Sequence, residues 1–570
     1  MIALIRALVV VLALMPPALA EPPVMPPAAP LVHAAHGMVA SEEAVATRVG
    51  VDMLRQGGNA VDAAVAVAFA LAVTWPEAGN LGGGGFMLVH QAETGDTVAI
   101  DYRERAPGAA DRDMFLDDDG IPVDARSRSY GLAVGVPGTV AGLALALERY
   151  GTISLAETLA PAIRLASDGI AVTPALAQSL AGSRARLARW PASARIFLHP
   201  DGEPYVAGET LVQADLAHTL RLIADQGPQA FYTGPVAESI AAAVAGAGGV
   251  MTDSDLADYR AQVREPIIGH YRGVTIRSMP PPSSGGVHLV QMLNILEGYP
   301  IAALGHNTAP TIHRMAEAMT RAYADRSRYL GDSDFVDVPV ARLTDKAYAA
   351  ELRASIDPKR ATPADRVAPE AVPPPAESPD TTHFSVVDRA GNAVSNTTTL
   401  NFNYGIGLVA AGTGVLLNNE MDDFAARPGA ANAFGLIGGV PNEVAPGKRP
   451  LSSMTPTIVF RDNRPFLVTG SPGGSRIITT VLQIILNVID HDMTVAEATD
   501  AVRVHHQWQP DRLYVEPGLD ATTIRQLEAM GHVVDIGGFM GSTQSILITD
   551  DGGLTGASDV RRPGGLTAGY

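Results

Sequence analysis

Thr381 stands where a threonine could become a nucleophile. It opens the strand-like run Thr381-Thr382-His383-Phe384-Ser385-Val386-Val387 and directly follows a stretch in which seven prolines fall between residues 358 and 380. A threonine hydroxyl is a weak nucleophile at neutral pH and needs a base beside it. If the Asp380–Thr381 bond were cut, Thr381 would gain an α-amino group, whose ordinary pKa of about 7.7–8.0 suits a general base. One residue would then supply both groups, and the uncut chain, with an amide at that place, would be inert. Composition leaves a second reading open, because a proline-rich run is also what an interdomain linker looks like.

Gly473-Gly474 lies between a strand-like run, 465–469, and a helical one, 477–488. A phosphate loop is excluded there, since the Walker lysine is missing and the spacing G-x-G-x-x-G does not occur. The run Leu81-Gly82-Gly83-Gly84-Gly85 fails for similar reasons. Glycines at 473 and 474 would instead let backbone N–H groups approach a tetrahedral oxygen with no Cβ in the way. His505 and His506, adjacent on a regular element, cannot both face one metal ion, and no H-E-x-x-H is present; neither a metal nor another cofactor is expected.

The elements that must hold these groups are partly legible. Ser41, Glu42 and Glu43 read as a helix start, with Val45, Val49 and Met53 as an apolar stripe that Gly57-Gly58 ends. The apolar stretch 63–73 is too short for a bilayer, which takes ~20 residues, and reads as a buried core helix. Alanine-rich helices follow, among them 155–166 and 236–245, with strands at 97–102 and 274–279. The turn cluster Pro280 to Gly286 leads into a helix at 287–296. After Thr381 a strand to Val387, a turn containing Gly391 and a second strand, 393–402, are expected. The span Pro428 to Gly447, rich in small residues, reads as a mobile loop.

Composition narrows the function class. Residues 1–20 carry one positive charge, an apolar run and Ala18-Leu19-Ala20 before Glu21, the pattern of a cleavable export leader. There is no cysteine, so disulfides and thiol catalysis are excluded. A net charge of −19 argues against nucleic acid or an anionic membrane as partner.

Several ordered motifs together carry a resemblance. The run Thr381 to Asp388, Leu416-Leu417-Asn418-Asn419-Glu420-Met421-Asp422-Asp423-Phe424, Lys448 to Pro456 and Gly470-Ser471-Pro472-Gly473-Gly474-Ser475-Arg476 are similar to small-subunit motifs of the gamma-glutamyltranspeptidases (glutathione hydrolases). Asp101-Tyr102-Arg103-Glu104 and the Pro280 to Gly286 cluster resemble large-subunit motifs. The likeness runs from about His36 to Tyr570.

The resemblance implies an α+β fold of the N-terminal nucleophile hydrolases, four layers αββα, with two stacked, mainly antiparallel sheets and helices on both outer faces. It implies a leader at 1–20, a large subunit 21–380 whose proline-rich end 358–380 precedes the cut, and a small catalytic subunit 381–570. Thr381 would cleave its own bond to Asp380 and then act as nucleophile. Thr399 would orient Thr381, although Thr397 and Thr398 are adjacent. Gly473 and Gly474 would form the oxyanion hole.

The substrate's γ-glutamyl group carries an α-carboxylate and an α-ammonium. The resemblance gives the carboxylate to Arg103, a planar two-donor fork, with hydroxyls from Ser452 and Ser453. It gives the ammonium to Asp423, with Glu420 and Asn401 as further acceptors. Phe434 would tip a lid, keeping the ring where bacterial members commonly have tyrosine but not that hydroxyl's hydrogen bond. The implied partners are glutathione and related donors, amino acid or dipeptide acceptors, and the chain's own two halves as a heterodimer. Two rivals remain: a cephalosporin acylase, whose glutaryl substrate lacks the ammonium that Asp423 would meet, and a catalytically dead periplasmic protein that binds glutamyl compounds.

Overall fold

The computed structural model describes residues 27–368 and 381–570. The expected leader, the end of the proline-rich run and Asp380 lie outside the described residues.

Two seven-stranded sheets, antiparallel throughout, stack face to face. The first runs Leu566–Gly569, Met38–Ser41, Thr381–Val387, Ala393–Thr399, Gly84–His90, Thr97–Asp101 and Gln262–Arg264. The second runs Val32–Ala34, Leu554–Ser558, Gln544–Ile548, Arg464–Thr469, Thr457–Arg461, Val274–Ser278 and Ile267–Tyr271. Strand alternation sorts their side chains into layers. Met38, Phe86, Leu88 and Val387 meet Ile458, Val468 and Ile546 between the sheets. Val39, Met87, Val89, Phe384 and Val386 point outward against helices that include Ala60–Thr74 and Leu155–Asp168. On the far face, Ile276, Val459 and Leu467 pack under Gly285–Glu297, Ala309–Tyr329 and Ile477–Ile489. The expected four layers, helix–sheet–sheet–helix, are those observed.

The helix Ala60–Thr74 is buried along its whole length, as its apolar run predicts, and starts on a capping box between Asn59 and Asp62. Two expectations need correction. In Ala44–Arg55, capped by Glu43, Val45 and Val49 are only half-buried; the seam is Ala46, Gly50, Met53 and Leu54. Gly50 moves it, because a Cβ there would sit 2.5 Å from Val67 and 3.1 Å from Val39, so the two helices touch backbone to side chain. The strand expected to reach Phe402 ends at Thr399, because Asn401 takes a left-handed backbone, φ 73°, which asparagine tolerates better than β-branched residues. Among the described residues no helix is long and apolar enough to cross a membrane.

Candidate active site

Thr381 begins its strand in the middle of the first sheet, paired in register with Thr399 on the neighbouring strand. Alternation turns residues 381, 383 and 385 toward the second sheet, and this inner row is polar. Ser385 donates to the carbonyl of Gln544 at 2.8 Å, and His383 shares hydrogen bonds with Thr397 (2.9 Å) and Ser385 (3.2 Å). Burial pulls His383 down to about 3, so its ring is neutral. The Thr381 hydroxyl donates to Thr399 Oγ1 across 3.5 Å, and that oxygen also accepts the N–H of Asn401 at 2.8 Å.

One small cavity of about 20 Å³ gathers Thr381, Thr399, Gly474, Arg103, Asn401, Glu420, Asp423, Ser452, Ser453 and Phe434. Gly473 is not on its wall but leads the backbone in at φ 131°, followed by Gly474 at φ 55°. This left-handed stretch is open to glycine at little cost. Leu436, Met454 and Ile477 complete the lining. As it stands the cavity has room for about one water.

Arg103 follows the strand Thr97–Asp101 and is fully buried. Its fork does not lie open. One Nη holds Glu420, the other holds Asp423 at 2.5 Å, and Nε donates to the carbonyl of Pro450 at 3.2 Å. Glu104 lies 3.7 Å from the same guanidinium. Three carboxylates thus surround one cation. Burial pushes Glu420 up to about 8 against the pull of Arg103, and likewise raises Asp423 and Glu104. The cluster holds more acid than its arginine can neutralise, so it favours a proton or a second cation.

The serine pair is set by the turn cluster. Ser452 donates its N–H to the carbonyl of Pro282 and accepts the Ser284 hydroxyl on its own carbonyl at 2.8 Å. Ser453 Oγ accepts Arg326 Nη2 at 3.3 Å, and Ser452 Oγ accepts the N–H of Met454 at 3.1 Å. Each hydroxyl keeps its proton to donate. Arg326, on the helix Ala309–Tyr329, carries no motif in the sequence; burial pulls it down to about 10, leaving it protonated near neutrality.

The loop expected to be mobile lies closed. Phe434 is 5 % exposed, edge-on to Phe402 with ring centroids 6.1 Å apart, and a Cβ on Gly474 would meet its ring at 2.6 Å. Asn432 donates to Asp423 at 3.0 Å, the N–H of Ala433 to Asp422 at 2.9 Å, and Gln507 to the carbonyl of Phe434 at 3.2 Å. Closure therefore uses backbone and Asn432 rather than a hydroxyl on the ring. His505 and His506 diverge, the first to Thr479 and Gln507, the second to Thr320.

Comparison with known proteins finds one family model, with relatives and solved structures named both as glutathione hydrolases and as acylases. The gamma-glutamyltranspeptidase family model matches residues 46–569. The glutathione hydrolase proenzyme of Escherichia coli (strain K12) is 54% identical, covering 95% of this chain and 93% of its own. A cephalosporin acylase structure from Bacillus halodurans superposes with a TM-score of 0.82 at 28% identity, over 98% of this chain and 99% of that one. The gamma-glutamyltranspeptidase of Helicobacter pylori is 47% identical over 57% of this chain and 93% of the solved chain, with a TM-score of 0.56.

Proposed function

The chain belongs to the gamma-glutamyltranspeptidase family, and from that premise we infer that it is an exported glutathione hydrolase proenzyme that cuts itself before Thr381. The observation that carries the reading is the position of Thr381 at the start of a buried strand, facing Thr399, beside a cluster of one arginine and three acids.

The hydroxyl of Thr381 first attacks the carbonyl carbon of Asp380. The amide is exchanged for an ester, the α-amino group is released, and water opens the ester. Two chains, 21–380 and 381–570, remain as a heterodimer. The new amine then takes the proton of Thr381 Oγ as that oxygen attacks a γ-glutamyl amide. The N–H groups of Gly473 and Gly474 receive the oxyanion. When the C–N bond breaks, the ammonium of Thr381 returns the proton to the leaving amine. Water, or the amino group of an amino acid or dipeptide, takes the acyl group from Thr381.

Recognition is an exchange of partners. The substrate's α-carboxylate takes the fork of Arg103 with the hydroxyls of Ser452 and Ser453. Its α-ammonium takes the released anions of Asp423 and Glu420, with Asn401 alongside. Neither protein charge is left unpaired, which matters because a buried lone charge is costly. The same surplus of acid disfavours the acylase reading, since a glutaryl group brings a carboxylate and no cation.

The reading is tested by intact-mass measurement of the purified export product, then by assay with a γ-glutamyl anilide, with and without glycylglycine. Two chains of about 37 and about 20 kDa, scaled by length, and anilide cleavage are expected. A single uncut chain without turnover would overturn it.

A further inference from the structure

Two adjacent acids and two adjacent arginines are each divided between separate tasks. Glu43 caps the helix Ala44–Arg55, its carboxylate oxygens accepting the N–H groups of Val45 and Ala46 at 3.0 and 2.8 Å. Arg561 is locked into a buried network with Glu516 and Asp559, at 2.7 and 3.3 Å. Their neighbours Glu42 and Arg562 are left to each other, 3.4 Å apart, beside Thr381. We propose that Glu42 and Arg562 are a charge pair that sets the basicity of the Thr381 amine, Arg562 lowering it and Glu42 holding Arg562 in check. The proposal rests on the function proposed above, in which that amine is the base.

The fold brings the pair to the nucleophile from two places in the chain. Glu42 follows the strand Met38–Ser41, which pairs with Thr381–Val387 so that Ser41 stands opposite Phe384. Arg562 comes after the strand Leu554–Ser558, and its Nη1 donates to the Thr381 carbonyl at 3.0 Å and to Glu42 Oε2 at 3.4 Å. Neither residue lines the acyl pocket, so both act through Thr381 and are positioning residues. Glu42 is 1 % exposed. The hydroxyls of Thr382 and Ser542 lie beside it, yet Oε1 forms no hydrogen bond among the described residues. A buried carboxylate that caps nothing and keeps an unmatched oxygen is unfavourable for folding, and such groups cluster where chemistry needs them. Burial pushes Glu42 up to about 7 against the pull of Arg562.

A cation beside an amine disfavours the ammonium form and so makes the amine a weaker base that stays free at lower pH. Arg562 is the nearer charge, because it touches the Thr381 carbonyl while Glu42 lies against the side chain of Thr382. The field of the ionised pair at the amine is therefore weakly positive, and it strengthens whenever Glu42 takes a proton. The base thus keeps its free form further into mild acid. Other charges surround the pair and are common to every variant compared below. Glu77 stands near Glu42 and is engaged by the Ser179 hydroxyl, and Arg128, Arg186 and Arg189 line the same cleft as Arg562. On the pocket side Thr381 faces Arg103 with Glu420, Asp423 and Glu104, then Arg326 behind Ser453 and a neutral His383.

The test is the pH dependence of kcat for a γ-glutamyl anilide in wild type, Glu42→Gln, Arg562→Gln and the double variant, each purified in the processed two-chain form. In Glu42→Gln the unbalanced guanidinium should move the rise of kcat to lower pH by about one unit. In Arg562→Gln the rise should move to higher pH. The double variant should fall between the two singles, because both charges are gone. The proposal is overturned if either single leaves the rise in place, if both move it the same way, or if the double lies outside their range. Lost packing alone has no reason to give shifts of opposite sign. Should Arg562→Gln fail to process, Glu42→Gln decides alone, and only a shift to lower pH upholds the pair. Wild type that stays uncut, or whose kcat does not rise with pH, would sink the function proposed above, a result distinct from unmoved variants.

Discussion

Arg103 and Asp423 form a buried pair, with Nη2 and Oδ2 2.5 Å apart and Asn432 of the lid loop on the second carboxylate oxygen. These two groups, to which the proposed function gives opposite ends of the substrate, hold each other. A zwitterion bound as proposed would exchange the Arg103–Asp423 and Arg103–Glu420 pairs for protein–ligand pairs. A substrate with only one of the two charges leaves a partner stranded.

Asp423→Asn should depress kcat/KM for a γ-glutamyl anilide by a factor of hundreds, since losing one partner of a buried pair costs ~3–5 kcal/mol at ~1.4 kcal/mol per decade. A glutaryl anilide should gain relative to it. Self-cleavage should hardly change, because no glutamate occupies the pocket in that step. Measuring both anilides with both enzymes checks this, and an unmoved ratio would remove Asp423 as the ammonium ligand and favour the acylase reading.

Glu420 gives a pH dependence. Burial pushes it up to about 8, so near pH 6.5 it holds a proton that must leave before it can face an ammonium. KM for a γ-glutamyl donor should therefore fall as pH rises from about 6 toward 8, by up to about tenfold per unit, and level off above. In Glu420→Gln the slope should vanish, whereas the rise of kcat with the Thr381 amine, ordinarily about 7.7–8.0, should persist. Full KM–pH profiles of both enzymes decide, and a slope retained in Glu420→Gln assigns the titration elsewhere.

Much of this was legible in the sequence where local chemistry is strong. The strand Thr381–Val387 was bounded correctly because a proline run cannot pair and the alternation begins at once. The second strand stops three residues short of its expected end at Phe402, because propensity says nothing of the left-handed turn at Asn401. Pocket residues inside recognisable motifs came together, yet the pairing of Arg103 with Glu420 and Asp423 did not show, because it spans more than three hundred residues of chain. Arg326 was missed for a related reason: one arginine on a long helix carries no local signal that Ser453 lies opposite.

Thr381→Ala should leave an uncut chain without turnover, because one hydroxyl serves both steps. Thr381→Ser should keep some of each, because the hydroxyl survives and only the methyl is lost. Gel analysis of export products with a parallel anilide assay checks the pair. An alanine variant that still splits into two chains would move the nucleophile elsewhere.

The proposed lid and the proposed oxyanion hole meet at Gly474, and a double substitution separates their roles. A Cβ at this position would lie 2.6 Å from the ring of Phe434, and the backbone there, at φ 55°, is one that L residues occupy at a cost of ~1–2 kcal/mol. Gly474→Ala should therefore both lift the lid and displace an oxyanion donor. Loss of one such donor lowers kcat by about 10²–10³, and a lifted lid should raise KM as well. Trimming the ring in Gly474→Ala/Phe434→Leu gives the added methyl room. The lid can then settle again, held by Asn432 on Asp423 and by the N–H of Ala433 on Asp422, neither of which involves the ring. KM should recover most of the way while kcat stays low. Steady-state kinetics of the two single variants and the double variant give the split. Recovery of kcat together with KM would mean that Gly474 is glycine to make space for the lid, and that the oxyanion is held by other donors.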